Sequence, residues 1–238
     1  MTPSASTNPY KHHRFPGEII SHGVWLYFRF SLSHRDVEEL LFARGVIVSY
    51  EAVRTWCRKF GQAYANALRQ RRPRPGDTWH LDEGFIPIHK ERHDLWRAVA
   101  QDGNVLDILV QRRRDKQAAK QFFRKLLQGC RYVPRVIITD KRKSDGAAKG
   151  ELFPGVEHRQ HRYRNNRAEN SHQPTRQRER RMQRFTSPGQ AQRFLAAYGP
   201  IAQHVRPRRH RLSAPEYRQE RRQRFQGWEE ITGIGMAA

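Results

Sequence analysis

Three acidic residues of this chain could carry chemistry because of the segments in which they lie. Asp82 lies in T-W-H-L-D-E, Asp140 follows the apolar run V-I-I-T, and Glu169 lies in N-N-R-A-E-N-S-H. Carboxylate oxygens suit Mg²⁺ and Mn²⁺ equally. Two such ions about 3.5–4 Å apart can activate a water or a hydroxyl and stabilise the leaving oxygen in phosphoryl transfer. We therefore treat the three acids as candidate ligands of two Mg²⁺ or Mn²⁺ ions.

Each acid also has an ordinary structural interpretation. Asp82 could be a solvated strand residue, Asp140 could form a turn, and Glu169 could favour a helix N-terminus. These interpretations weaken together, because the K-R-K-S that follows Asp140 is not a tight-turn sequence. Glu83 is expected on the opposite face of its strand and is not a candidate ligand. The metal hypothesis therefore depends on the acids being brought together by the fold.

The charge of the chain points to a polyanionic partner. Lysine and arginine number 46 against 23 acidic residues, a net charge of +23 over 238 residues. Release of counterions from phosphate favours nucleic acid, and an anionic membrane is the weaker alternative. No apolar run approaches the roughly 18 residues of a membrane span, and the N-terminus lacks an apolar signal region. We therefore expect a cytoplasmic protein. Cys57 and Cys130 are too far apart for a cysteine-based zinc motif, and we expect buried, reduced thiols.

Residues 15–67 follow a basic tail (1–14), expected to be disordered, and read as a helix-turn-helix. Ser33 and Asp36 form an S-x-x-D cap, Gly45 ends that helix, and Ser49 begins a second one. An apolar stretch from Ile19 to Phe28 predicts a helix that buries the pair. The candidate DNA contacts lie off the apolar stripe of the second helix: Tyr50, Arg54, Arg58 and Lys59. The alternative is a helical hairpin with solvated arginines.

After a linker at 68–77, the pattern of residues 78–205 predicts an α/β domain. Three strands joined by tight turns come first, followed by a helix from 116 to 127, a strand at 136–139, a weak helix, a strand near Val156 and a polar helix from 166 to 182. This is the order of a ribonuclease H-like fold with a mixed five-stranded sheet, although other α/β arrangements share the pattern. Ligands collect at the carboxyl ends of adjacent strands in such sheets, so the three acids can converge.

Several smaller features remain open at this level. Gly84 and Pro87 follow Asp82, and both residue types weaken a strand that is paired on two sides. His158, His161 and His172 could bind zinc, but histidine also contacts DNA as an ordinary polar residue. The helix at 190–198 could dock a partner or pack on its own domain, and residues 206–238 look like a basic tail. Candidate phosphate contacts near the acids are Lys141, Arg167 and Arg178.

Nearly the whole chain, from about His13 to Arg206, resembles transposases of the insertion-sequence-six family, which belong to bacterial mobile elements. The carrying stretches are T-W-H-L-D-E, L-W-R-A-V-A-Q-D-G-N-V-L-D, V-I-I-T-D-K, V-E-H-R-Q-H-R-Y-R-N-N-R-A-E-N-S-H and Q-P-T-R-Q-R-E-R-R-M-Q-R-F. The resemblance implies a catalytic triad of Asp82, Asp140 and Glu169, with Arg176 as a basic catalytic residue seven positions after the glutamate.

The resemblance also implies the activity and the partners. It predicts binding to the terminal inverted repeats of an insertion sequence, followed by metal-dependent strand cleavage and strand transfer. Element ends and target DNA, a homodimer or larger assembly, and a place in the bacterial nucleoid are expected, without an organic cofactor. Two alternatives stay open: a catalytically decayed remnant that acts only as a DNA-binding protein or repressor, and a metal-dependent nuclease that does not join strands.

Overall fold

The computed structural model describes most of the chain as two compact units, one of residues 71–199 and one that combines residues up to 70 with those from 200 onward. The residues described are 8–112, 116–130, 132–139, 155–160, 166–182, 184–204, 207 and 212–234, without the side chains of 116 and 166–170. The predicted weak helix between Asp140 and Val156 lies outside these residues. Within the described ranges, no helix is long and apolar enough to cross a membrane.

The N-terminal unit contains three successive helices, as the sequence predicts: α1 (Gly17–Arg29), α2 (His34–Phe42) and α3 (Tyr50–Gln70). Ser33 and Asp36 form the expected capping box at the start of α2, with hydrogen bonds of 3.0 and 2.8 Å. The apolar stripe of α3 is buried and includes Val53, Trp56 and Phe60. Burial of this stripe against α1 and α2 stabilises the three helices.

Gly45 ends α2 for a conformational reason. Its φ of 77° lies in the left-handed region, where glycine avoids the steric cost of a side chain. The amide of Val46 then donates to the Leu41 carbonyl at 3.0 Å, and the amide of Gly45 donates to the Phe42 carbonyl at 2.9 Å. These bonds satisfy carbonyls at the end of α2 and lead the chain into α3.

Both segments expected as tails contain residues that pack in this helical unit. The Tyr10 hydroxyl donates to the Thr232 carbonyl at 2.6 Å and lies 2.7 Å from the Tyr64 hydroxyl. Residues Ala214–Thr232 form a helix whose N-terminus carries a Ser213–Glu216 capping box. Trp228 of that helix is buried against Tyr64. A few apolar residues among many arginines are enough to anchor this helix. The amino-acid composition of the segment alone does not reveal that it is anchored.

The second unit is built on a mixed five-stranded sheet of order β3-β2-β1-β4-β5. The first three strands are antiparallel, while β1 pairs in parallel with β4 and β4 with β5. The elements are β1 (Thr78–Ile88), β2 (Glu91–Ala100), β3 (Val105–Gln111), α4 (Lys116–Cys130), β4 (Val136–Thr139), β5 (Glu157–Gln160), α5 (Asn166–Arg181) and α6 (Pro188–His204). The C-terminal helix Ala214–Thr232 of the other unit is α7. This topology confirms the predicted ribonuclease H-like fold.

The two faces of the sheet carry separate apolar clusters. One face packs with α4 through Trp79, Leu81, Trp96, Phe122 and Phe123. The other face packs with the chain around α6 through a cluster that includes Ile86, Leu95, Phe185 and Leu195. The apolar face of residues 190–198 is therefore used inside its own domain, the second of the two interpretations that the sequence allowed. Strand alternation places Asp82 on the second face and Glu83 on the α4 face.

Candidate active site

Asp82 lies on the central strand of the sheet, beside the end of β4. Leu81 pairs with Thr139, the last residue of β4, and Asp82 pairs with Arg97 of β2. The Asp82 side chain is 18% exposed, so its carboxylate is accessible from one side. Asp140, which follows Thr139 in sequence, lies outside the described residues. Glu169 belongs to the first turn of α5, but its side chain also lies outside them. Of the three predicted ligands, the structure therefore describes only the carboxylate of Asp82.

The side chain of His172 contacts the Asp82 carboxylate. Its Nε2 atom is 3.3 Å from Asp82 Oδ2, and its side chain is 4% exposed. Burial lowers the pKa of His172, with Arg97 and Arg176 adding to the effect and Asp82 opposing it. The imidazole is therefore neutral near pH 7, with one N–H available for donation. From its sequence context, His172 was a candidate zinc ligand or an ordinary polar contact to DNA. Its position three residues after Glu169, on the same side of a helix, was the available signal.

Gly84 makes room for His172. A Cβ atom at this position would lie 2.8 Å from Nδ1 and 2.9 Å from Cε1 of the imidazole ring. Glycine is expected to weaken β1. Its presence at position 84 is explained by the close approach of α5 to the strand. Pro87 also has a structural reason. Among the described residues, pairing between β1 and β4 covers Thr78–Leu81, and Pro87 pairs only with Arg92 of β2. A proline is tolerated where one side of a strand carries no ladder.

Arg97 is a buried cation between Asp82 and α5, and sequence analysis did not select it. It is 4% exposed and donates to the Ser171 carbonyl and to Thr175 Oγ1, both on α5. Burial lowers the pKa of Arg97 to about 10, while Tyr198 and Asp82 act in the opposite direction. The guanidinium therefore stays charged at neutral pH and places a positive charge behind the Asp82 carboxylate.

The arginines of α5 differ in what they can contact. Arg176 is exposed, as its predicted role requires. Arg178 is 1% exposed, and its guanidinium carbon lies 5.4 Å from the centre of the Phe194 ring in α6. A side chain so deeply buried does not reach DNA phosphate, so the predicted DNA contact of Arg178 is corrected to an interior packing role. Lys141 and the side chain of Arg167 lie outside the described residues.

The outer surface of α3 presents all four residues predicted to contact DNA. Tyr50 is 37% exposed and has the Arg35 guanidinium 5.1 Å from its ring centre. Arg54 donates to Glu51 at 3.1 Å, and Arg58 and Lys59 are exposed. Tyr50, Arg54 and Arg58 recur every four residues and so share one face of the helix. The structure thus groups three of the four candidates on one face, while Lys59 is exposed away from that face with its Nζ atom 2.8 Å from His13 Nε2.

The histidines considered for zinc make other contacts. His158 Nε2 lies 2.7 Å from Thr139 Oγ1, His172 contacts Asp82, and His161 lies outside the described residues. Within the described ranges no group of three or more histidine, cysteine, aspartate or glutamate side chains could hold a metal ion. The carboxylates of Asp140 and Glu169 lie outside those ranges. Cys57 is buried and Cys130 is half-buried, and both are free thiols.

Comparison with known proteins assigns the chain to a family. The family model DDE_Tnp_IS240, described as a DDE domain, matches residues 76–208, more than half of the chain. The transposase for insertion sequence element IS257 in transposon Tn4003 of Staphylococcus aureus is 28% identical over 181 residues, covering 74% of this chain and 80% of that protein. The chain belongs to the insertion-sequence-six family of DDE transposases. Asp82, Asp140 and Glu169 all fall inside the DDE domain match.

A second transposase agrees with this assignment, and two solved integrase structures align with the chain at a lower level. A transposase for insertion sequence-like element IS431mec, also from Staphylococcus aureus, shows the same 28% identity with 74% of this chain and 80% of the relative covered. Among solved structures, the catalytic core domain of HTLV-2 integrase in complex with magnesium aligns with a TM-score of 0.40 and 13% identity, covering 57% of this chain and 88% of that one. The BIV integrase catalytic core domain aligns with a TM-score of 0.39, covering 63% and 99%.

Proposed function

We propose that this DDE transposase binds the terminal inverted repeats of an insertion sequence and catalyses metal-dependent cleavage and strand transfer of DNA. The observation that carries the proposal is the position of Asp82. It lies on the central strand of a ribonuclease H-like sheet, beside the end of β4 and under α5, inside the segment that matches a DDE domain. This is where residues that follow β4 and residues of α5 can meet one partly exposed carboxylate.

The residues present suit a divalent metal site. Asp82, Asp140 and Glu169 would supply hard oxygen ligands for two Mg²⁺ or Mn²⁺ ions. Bound ions of this kind lower the pKa of a nucleophilic water or hydroxyl and neutralise charge on the reacting phosphate. Arg97, buried on β2 opposite Asp82, places a positive charge behind this carboxylate. Arg176, exposed on α5, would contact the DNA phosphate next to the acids.

DNA recognition is proposed for the helical unit. The α2–α3 pair has a glycine-containing turn and an exposed basic surface on α3, as in a helix-turn-helix. Tyr50, Arg54, Arg58 and Lys59 would contact the inverted repeats, while the catalytic unit acts on the phosphate at the element end. Joining two ends to a target requires them to be held together, so we propose a homodimer or larger assembly on DNA in the bacterial cytoplasm.

The test is an assay of labelled element-end DNA with the purified full chain and Mg²⁺. We expect cleaved and joined products from the wild type. Asp82→Ala, Asp140→Ala and Glu169→Ala should bind the DNA with unchanged affinity and give no product. Glu91→Gln serves as a matched control, because Glu91 is an exposed acid of the same sheet paired with Arg112 at 3.2 Å. It should behave as wild type.

Two results would contradict the proposal. If wild type and triad variants bind equally and all lack cleavage, the chain is a DNA-binding protein without transposase activity. If the wild type cleaves DNA but forms no joined product in Mg²⁺ or Mn²⁺, it acts as a nuclease. Binding in either case should weaken steeply with salt, because phosphate contacts release counterions.

A further inference from the structure

We infer that Arg97 and His172 are positioning residues that hold α5 on the sheet and so set Glu169 and Asp82 at the separation that their joint function needs. The inference rests on the proposed function, because the role given to both residues is to position the acids of the proposed site. Its structural basis is independent, since it concerns how one helix is attached to two strands. Neither residue belongs to the predicted triad, and neither is proposed to react with DNA.

The composition of α5 makes such an attachment necessary. Its sequence, N-R-A-E-N-S-H-Q-P-T-R-Q-R-E-R-R, contains no aliphatic residue larger than alanine apart from Pro174, and no aromatic residue apart from histidine. A helix normally docks by burying an apolar stripe. Here the described residues that face inward are polar: His172, Thr175, Arg178 and Glu179. The location of α5 on β1 and β2 therefore depends on polar contacts, which are directional and fix its register more narrowly than apolar packing does.

Arg97 supplies the first of these contacts. It projects from β2 directly opposite Asp82 and donates from Nη1 to the Ser171 carbonyl and from Nη2 to Thr175 Oγ1. The two acceptors lie four residues apart, one helical turn, and on either side of His172 in sequence. A planar guanidinium that bridges one turn of a helix fixes both its height and its rotation. Lysine at this position would keep the charge but lose the planar two-pronged donor geometry.

His172 supplies the second contact. Its ring fills the space that a side chain at position 84 would take, and its Nε2 atom lies 3.3 Å from Asp82 Oδ2. The imidazole therefore lies between the helix and the strand and contacts one oxygen of the Asp82 carboxylate. Groups that restrain metal ligands in this way typically change metal affinity or activity by about 10- to 100-fold when removed.

The main test replaces each residue by a variant that keeps the contact and by one that removes it. His172→Gln keeps an N–H donor at a similar reach, whereas His172→Leu keeps bulk without a donor. Arg97→Lys keeps the charge without the planar guanidinium, whereas Arg97→Met keeps an unbranched side chain without charge or donors. The full chain is titrated with Mn²⁺ in the presence of end DNA, with free Mn²⁺ measured by electron paramagnetic resonance. DNA affinity, and kcat at saturating DNA, are measured alongside.

We expect His172→Leu and Arg97→Met to raise the Kd for Mn²⁺ and lower kcat by about 10-fold or more. KM and the Kd for DNA should stay unchanged, because the exposed α3 surface is untouched. His172→Gln should bind Mn²⁺ nearly as tightly as wild type, and Arg97→Lys should fall between Arg97→Met and wild type. Rescue by the donor-retaining variants separates positioning from a loss of folding.

A double-mutant cycle with Gly84 tests the contact itself. Gly84→Ala in the wild type should push the His172 ring away and weaken Mn²⁺ binding. In a His172→Ala background, the added methyl group meets the space that the ring has left and should have little further effect. Such non-additivity is the signature of two residues in direct contact. Equal effects of Gly84→Ala in both backgrounds would show that glycine serves only the strand, and would overturn the role of His172.

The inference fails on its own if wild type binds Mn²⁺ and cleaves DNA while folded His172→Leu and Arg97→Met do the same with unchanged Kd and kcat. A wild type that binds no Mn²⁺ and cleaves no DNA refutes the proposed function, and the positioning role with it. Hydrogen exchange of α5 amides provides a readout that needs no activity. Faster exchange in Arg97→Met than in Arg97→Lys supports the attachment, and identical exchange in both and in wild type contradicts it.

Discussion

Trp228 provides a sharp test of the finding that the C-terminal helix belongs to the N-terminal helical unit. Its indole is 4% exposed and packs edge-on against Tyr64 of α3, with ring centres 5.4 Å apart. The ring centre of His204, in the same unit, lies 6.4 Å from that of Trp228. If α7 is an integral part of this unit, Trp228→Ala should destabilise α1, α2 and α3, which lie more than 150 residues earlier in the chain.

The expected magnitude follows from burial. Truncation of a fully buried tryptophan to alanine costs about 3–5 kcal/mol, since apolar burial is lost and a cavity remains. The aromatic contact with Tyr64 accounts for about 0.5–1.5 kcal/mol of that. Domains are stable by only about 5–15 kcal/mol, so the loss is a large share of the total. For a unit of this size, it corresponds to a fall in Tm of more than about 10 °C.

Calorimetry and hydrogen exchange of the full chain would measure the effect. We expect the transition of the helical unit to move to lower temperature and the amides of α3 to lose protection, while those of β1–β3 keep theirs. Phe42→Ala is the matched control, because Phe42 is an aromatic residue of the same unit that is 65% exposed. Its change in stability should stay within about 0.5 kcal/mol. A loss below about 1 kcal/mol for Trp228→Ala, or unchanged protection of α3, would refute the reasoning.

Three further predictions concern other parts of the chain. Ser33→Ala should cost about 1 kcal/mol of unfolding free energy by denaturant titration, because it removes the α2 capping box, and Asp36→Ala should add little in that background. Arg58→Ala should weaken end-DNA binding and reduce the slope of log Kd against log salt by about 1, whereas the exposed Arg124→Ala on α4 should leave both unchanged. Burial raises the pKa of the Cys130 thiol to about 11 from its ordinary 9.0. With Cys57→Ser as background, alkylation of Cys130 at pH 8 should therefore be about 100-fold slower than for an ordinary thiol. The alkylation rate should keep rising above pH 10. A rate that reaches a plateau below pH 9.5 would contradict this prediction.

Local signals in the sequence were sufficient to predict most of the elements. Ser33 and Asp36 mark a helix start, Gly45 marks its end, and the D-G-N turn at Asp102–Asn104 joins two strands, because caps and turns depend on residues within a few positions. The change from helical to alternating periodicity separated the two domain types. The order of three antiparallel strands before a helix and a parallel strand was enough to favour the ribonuclease H-like sheet, which the structure confirms.

Contacts of α5 could not be predicted in the same way. Arg176 and Arg178 lie two residues apart in a run of arginines, yet one is exposed and the other is buried against Phe194. A helix whose only apolar residues are one alanine and one proline has no periodicity from which its inner face can be read. The pairing of His172 with Gly84 was likewise hidden, since glycine in a strand signals a close approach without naming the residue that approaches.

The division between sequence and tertiary structure thus follows the range of the interactions. The residue types and their order were enough to predict the candidate triad, the basic surface of α3 and the strand order. These features depend on chemistry and on spacing along the chain. The tertiary structure alone decided that Tyr10 meets Thr232, 222 residues away, and that Arg97 and His172 anchor the helix of Glu169. Buried polar contacts of this kind depend on three-dimensional neighbours, and no local pattern of hydrophobicity encodes them.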